Sequence, residues 1–296
     1  MSISKMVVAV KGLQSLIDST VSEGTQPEGL FGRKVIIATK DLTIDGSKLD
    51  VEFTVPFDDD TEANEAEIVV YNLSKTSLDL LKYNKPITIT AGYESDTGII
   101  FSGYISKVVS KREGNDLKTV ITAIDSMELK ERKIDSIAYG YGVTASYILK
   151  DLIKRAGLPL AVFKPRRDYT YSKAVTVDGE LMANIKKYSE VCGISTYVLK
   201  GKAYSRHVKD GDDIEFTVST DTGMVGSPEE FEEEITAEDF KDVVTGYKVK
   251  MLLQHRVTTA VIVNLKSREA NGKFRVRSGQ HICSGSDFYT EMEVLT

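Results

Sequence analysis

The chain has 296 residues, more than one average domain, so two or three folded units are expected. Hydrophobic residues make up 41% and charged residues 28%, an ordinary balance for a soluble globular protein, and the net charge of −6 argues against general affinity for nucleic acid, which needs a basic surface. No stretch approaches the roughly 20 apolar residues of a membrane helix, and the two cysteines, Cys192 and Cys283, are too far apart to suggest a disulfide framework, so folding without oxidation is expected.

Residues 1–30 open with the apolar run Met6-Val-Val-Ala-Val10, too short for a signal-peptide core and ended by Lys11. They pass into Asp18 to Gly29, a polar stretch containing Gly and Pro that reads as a tether. From 31 to 134 strand signals dominate. Val35-Ile-Ile-Ala38 is a continuous apolar run, and Leu49, Val51, Phe53 and Val55 alternate with polar neighbours at the period of a half-buried strand. Asp58-Asp-Asp60 breaks that strand and reads as a loop tip. Glu67 to Tyr71 follows, then a turn at Asn72-Leu-Ser74, with Ser74 as the N-cap of a short helix carrying Leu78, Leu80 and Leu81. Pro86 to Thr90, Gly98 to Ile105 and Lys118 to Ile124 bring the number of strands to about six, enough for a small barrel or sandwich.

The period changes over 135–205. Thr144 is placed to cap a helix whose apolar face is Ile148, Leu149, Leu152, Ile153 and Ala156, stopped by Gly157 and Pro159. A second helix is expected from Asp178 as N-cap, with Glu180 in its first turn and Leu181, Ile185, Tyr188 and Cys192 on one face, ending at Gly193. Ser195 to Leu199 and Ala203 to Ser205 flank Lys200-Gly201-Lys202 as a hairpin, which makes this region a small α+β unit. Over 206–296 the order is Leu252-Leu253, the apolar run Ala260 to Leu265, a hairpin turn at Asn271-Gly272, the alternating strand Lys273 to Arg277, and a closing strand from Phe288 to Val294. The fold class is therefore α+β and mostly β.

The chemistry-bearing residues assign no site. His207, His255 and His281 lack metal-ligand spacing except for His281-Ile-Cys283, whose side chains share a strand face but have no further ligands in sequence. Cys192 lies on an apolar helix face, where a buried structural thiol is expected rather than a nucleophile. The acidic run Glu229 to Glu234 with Glu238 and Asp239 reads as a solvated loop or helix face, since calcium loops need Gly and Asp or Asn at set positions. Lys164-Pro-Arg166-Arg167 with Tyr169 and Tyr171 reads as an exposed loop. There is no P-loop, no Gly-x-Ser-x-Gly and no Gly-x-Gly-x-x-Gly. No catalytic, cofactor-binding or metal-binding residue is assigned, and no cofactor is expected.

Four segments in the first half of the chain and one succession near its C-terminus carry a resemblance to a known family. Phe53 to Asp59 and Asn64-Glu-Ala-Glu-Ile-Val-Val-Tyr-Asn-Leu-Ser74 occur in order with Ile89-Thr-Ala-Gly-Tyr93 and Gly98-Ile-Ile-Phe-Ser-Gly-Tyr-Ile105. The C-terminal succession Gly279-Gln-His281, Gly285-Ser-Asp287 and Phe288-Tyr-Thr-Glu-Met-Glu-Val294 completes the set, with Ala260 where a Gly is expected. Together these resemble the baseplate hub proteins of bacteriophage tails and related contractile injection systems. The resemblance implies an N-terminal segment (1–30), a tail-tube-like antiparallel β-barrel domain (31–134), a small α+β insert (135–205) and a second tube-like domain (206–296). It further implies a homotrimeric ring that adapts a sixfold tail tube to a threefold spike. The partners would be the tail tube, spike or tip, tape measure and other baseplate proteins, with DNA only in transit. The implied place is the virion tail baseplate, assembled in the host cytoplasm. The competing classes are a tail-associated cell-wall hydrolase, which would need a further catalytic domain, and a carbohydrate-binding module, favoured by fourteen Tyr but lacking any Trp.

Overall fold

The computed structural model of the chain describes residues 30–126, 129, 132–199, 201–237 and 240–296, with 233–237 and 240–244 by backbone alone. Residues 1–29 of the segment expected over 1–30, Lys200 in the hairpin turn, and Glu238 and Asp239 lie outside the described residues. The first region contains β1 (Arg33–Thr39), β2 (Thr43–Asp45), β3 (Val51–Phe57), β4 (Glu65–Tyr71), α1 (Lys75–Leu80), β5 (Pro86–Tyr93), β6 (Asp96–Glu113) and β7 (Asp116–Ile124). The strand beyond the six expected is β2, whose three residues are too few for alternation to register. Ser74 caps α1 by accepting from the Ser77 amide at 3.1 Å. Inward residues of these strands, among them Ile37, Phe53, Val55, Ile68, Ile89 and Ile121, form one core, each contributing about 1.5–3 kcal/mol by burial.

The middle region contains β8 (Lys133–Tyr139), α2 (Ala145–Ala156), β9 (Leu160–Phe163), β10 (Val175–Glu180), α3 (Leu181–Val191), β11 (Ser195–Leu199) and β12 (Lys202–Arg206). Thr144 caps α2 by accepting from the Tyr147 amide, and Gly157 ends it in the left-handed conformation at φ 78. The apolar faces of α2 and α3 meet in a separate core with Cys192. Asp178 does not cap α3. Val175-Thr-Val177 extends β10 through Asp178, Glu180 takes the N-cap position, and Asn184 donates its side-chain amide to the Asp178 and Glu180 carbonyls.

The last region contains β13 (Asp212–Val218), β14 (Met224–Ala237), β15 (Phe240–Leu252), β16 (Val261–Lys266), β17 (Asn271–Ser284) and β18 (Asp287–Leu295) around a third core. The hairpin of β16 and β17 exists, but its turn is not Asn271-Gly272. Ser267 Oγ accepts from the Ala270 and Glu269 amides and closes the turn four residues earlier, so Asn271 and Gly272 already pair with Lys266 and Leu265. The acidic run Glu229 to Glu234 is neither loop nor helix. It lies in β14, where β15 supplies the hydrogen-bonding partner along its length, with Glu229 opposite Lys248 and Glu232 opposite Thr245.

The strands of the first and last regions form one thirteen-stranded hydrogen-bonded path, in the order β14-β15-β18-β17-β3-β4-β7-β6-β5-β1-β2, with β13 and β16 branching from β17. Most pairs are antiparallel. The exceptions are β13 with β16 and β9 with β12, where long crossovers, through the β14/β15 hairpin and through α3 respectively, let the chain return in the same direction. The two β units meet at β3 and β17, from Gly279 opposite Phe57 to Cys283 opposite Phe53. Gly279 permits that approach: a Cβ there would sit 2.2 Å from the Glu291 carbonyl and 2.6 Å from the Phe57 ring.

Candidate functional site

Two features set by this topology stand out: a charged seam where the three cores meet, and sheet edges that the chain leaves open. The loop after β3 carries Asp59 to the seam. Its carboxylate accepts from Arg275 Nη1 on β17 at 2.6 Å, and both side chains are nearly buried. Arg275 Nε also donates to the Asp210 carbonyl at 2.8 Å, and the Ser195 hydroxyl donates to the Asp59 carbonyl. Asp59 is therefore not a loop tip. It links the first β unit, the middle unit and the second β unit, because its two neighbours in space come from positions far away in sequence.

A second cluster ties the start of β6 to the segment after β15. Asp96 accepts from Arg256 at 2.6 Å, lies 2.9 Å from His255 Nε2 and accepts from Gln254 at 3.1 Å. Burial alone would raise its pKa, but the bonds from His255, Arg256 and Gln254 hold it well below the usual carboxylate range. Gly98 makes room for this cluster, since a Cβ there would lie 2.1 Å from His255 Nδ1. On the middle unit, Arg206 is buried, donates to the Tyr197 hydroxyl at 2.7 Å and to Asp212 at 2.8 Å, and so anchors β12 to β13.

Between these clusters runs a cleft of about 860 Å³, lined by residues of all three units, including Phe57, Asp58, Ile100, Asp125, Leu199 and Asp212. Burial and the neighbouring Asp60 push Asp58 up to about 7, and burial pushes Asp125 up to about 6. His281 faces inward on β17, its ring 5.0 Å from that of Phe57 and its Nδ1 2.9 Å from Thr290 Oγ1. Burial lowers its pKa to about 3, so the imidazole is neutral. Cys283, two residues on, donates to the Val51 carbonyl at 3.5 Å. Burial pushes both Cys192 and Cys283 up to about 11, which leaves them as thiols. Among the described residues no three His, Cys, Asp or Glu side chains converge as a metal site.

The basic loop on the middle unit is partly engaged. Arg166 pairs with Asp210 at 2.9 Å, and Arg167 donates to the Val191 and Glu190 carbonyls at the end of α3, a favourable place for a cation. Tyr169 and Tyr171 stand edge to face beside it. The sequence did not disclose the Asp59–Arg275 and Asp96–Arg256 pairs. Their only local signal is an Arg within the alternating strand Lys273 to Arg277, and the partner lies 216 residues away.

Open edges include β14 and the far half of β6. Among the described residues β14 pairs only with β15. β5 leaves β6 at Tyr104, and residues 106–113 then have β7 on one side and, among the described residues, no strand on the other.

Comparison with known proteins follows the same lines. A family model described as baseplate hub gp41 matches residues 46–291. No curated protein sequence matches the chain. Among solved structures, a tail protein from Neisseria meningitidis MC58 superposes with a TM-score of 0.63 at 11% identity, covering 90% of this chain and 97% of its own. The 43 kDa tail protein of prophage MuSo2 from Shewanella oneidensis gives 0.63 at 8% identity, covering 89% and 98%. A component of the E. coli type VI secretion system, described as structurally similar to T4 tail proteins gp27 and gp5, gives 0.57 at 10% identity over 87% and 76%. At such identities these likenesses establish the fold.

Proposed function

The chain belongs to the baseplate hub gp41 family, and from that premise we propose that three copies close a ring at the end of a phage or phage-like tail tube. A structural role in the tail baseplate follows from the family. The finer reading is that the β units at 31–134 and 206–296 act as two tube-like barrel modules, with the α+β unit at 135–205 held between them and 1–30 as an extension. Three chains then offer six similar faces to a sixfold tube and a threefold base to a spike or tip. The observation that carries this reading is the joining of two β units side by side in one chain through β3 and β17, with the edge of β14 left open. Two tube-like modules in lateral contact already form one third of a six-module ring.

On this reading the chain is not an enzyme and needs no cofactor. Its partners are copies of itself, the tail tube, the spike or tip, the tape measure and other baseplate proteins, in particles assembled in the host cytoplasm. DNA passes through without being held, so surfaces facing the channel are neutral or acidic on balance, because Lys and Arg are what bind phosphate. Light scattering on the purified chain, with imaging of tail particles, tests the assignment. The expected result is a trimer, or a shift to trimer at raised concentration or with the spike. A protein that stays monomeric and never enters tail particles would sink it.

A further inference from the structure

We propose that the ring closes by pairing the open edge of β14 in one copy with the open half of β6 in the next, the acidic strand against the basic one. This names the contact that the ring reading requires and rests on that reading. The observations come from both edges. Residues 106–113 of β6 are a strand of eight residues, about 26 Å long at ~3.3 Å per residue, with one side unpaired. The exposed side chains there include Lys107, Lys111 and Arg112, and none of these three forms an ion pair among the described residues. The β14 edge carries Glu229, Glu230 and Glu232, all exposed, and its sequence continues with Glu233 and Glu234.

The charges are also placed against the interest of the isolated chain. Lys111 lies directly opposite Lys118, and Glu113 opposite Asp116, relieved by a 3.7 Å contact between Lys118 and Glu113 and by the Asn72 side-chain amide, which donates to Asp116 at 2.8 Å. Like charges facing each other across a ladder destabilise it. Along β14 the charge is crowded lengthwise instead, five Glu among the six residues Glu229 to Glu234, of which Glu229 alone has a cation, Lys248, opposite it. A cationic strand edge laid beside an anionic one removes both penalties and fills two rows of free backbone hydrogen-bonding groups. The two edges belong to different β units and do not pair with each other within the chain. A contact between unlike edges is head-to-tail, so repetition by rotation closes a ring rather than a two-fold dimer.

The test uses the full chain and reads its mass by light scattering across a dilution series, at about 0.05 M and about 0.5 M salt. The wild type should form rings that loosen in the higher salt. K111E/R112E should dissociate at concentrations at least about tenfold higher than the wild type, and so should E229K/E230K/E232K. The chain carrying all five changes should recover the ring, because the two edges have exchanged charge. All three variants change exposed positions, and circular dichroism verifies that they fold. Rings that survive both single-edge reversals unchanged would overturn this contact while leaving the hub reading intact. Rings that both reversals break but the five-fold variant fails to restore would also overturn it. A wild type that never forms rings, alone or with tail partners, would remove the hub reading and this contact together.

Discussion

In the seam between the β units, the side chains of Asp59 and Arg275 keep 10% and 4% of their exposure and hold each other at 2.6 Å. At the end of the β6/β7 hairpin, Lys111 instead faces Lys118, and along β14 Glu229, Glu230 and Glu232 stand in solvent. The difference follows from solvation. A charge removed from water must find its partner within the fold, whereas an exposed one is screened and can remain unmatched. Seam charges therefore set how the units sit on one another. Edge charges cost the monomer little and stay available to a neighbour.

Breaking the seam pair should produce the largest effect. Arg275→Met leaves the Asp59 carboxylate buried beside an apolar side chain and should cost about 3–5 kcal/mol of stability in urea denaturation. Changing Asp59→Leu in the same chain should return most of that loss, since an apolar pair of similar volume substitutes well for a buried ion pair. A single change at Arg275 costing less than about 1 kcal/mol, the range of exposed pairs, would erase the contrast between seam and edge.

This contrast was only half legible in the sequence. Elements with short-range signals came through: Ser74 and Thr144 as caps, Gly157 as a stop, and the alternation through Phe53 and Val55. Those that failed depended on a competing partner. Ser267 closes the turn that Asn271-Gly272 signals, and the register shift between Val177 and Gly179 keeps Asp178 within a strand. The acidic run looked like a solvated loop because its strand state comes from β15, which pairs with it across the hairpin. Asp59 looked like a loop tip because nothing near it in sequence reveals Arg275. The glycines of the hub resemblance, Gly98 and Gly279, were visible as letters, and their physical reason appeared only when His255 and Phe57 were found against them.

Asp58 sharpens the comparison because it adjoins Asp59 yet has no cation paired with it among the described residues. A carboxyl with a raised pKa keeps its proton in the fold where the unfolded chain has released it. Its contribution is therefore whole below about pH 4 and is lost as the pH rises through about 7. Asp58→Asn cannot ionise, so it should gain on the wild type from about pH 4 to about pH 7 and then hold level, by at most about 1.4 kcal/mol per pH unit and less for solvent screening. Buried neutral His281 works in the opposite sense below about pH 6.5, but it is common to both proteins and cancels in the difference. Thermal melts of the two proteins across that range decide the matter. A difference independent of pH would mean that Asp58 is as well compensated as Asp59.

The smallest effect is expected at Ala260, on the second unit's side of the seam. Its amide donates to the Val276 carbonyl, and its own carbonyl accepts from the Asp212 amide, so the residue fixes where β13 meets β16. It does so at φ 61, in the left-handed region, where an L side chain costs about 1–2 kcal/mol and Gly nothing. That accounts for the Gly expected here. Ala260→Gly would relieve the strain. It would also give the unfolded chain about 0.5–1 kcal/mol of extra entropy and remove a fully buried methyl group worth about 0.8 kcal/mol. These terms nearly cancel, so the variant should match the wild type within about 0.5 kcal/mol in chemical denaturation, far below the Arg275 effect. A bulkier change, Ala260→Val, keeps the left-handed strain and adds volume to a closed corner, so it should cost about 1–3 kcal/mol more. If Gly stabilised by more than about 1 kcal/mol, the methyl packing would be weaker than its burial indicates, and backbone strain would govern this corner of the seam.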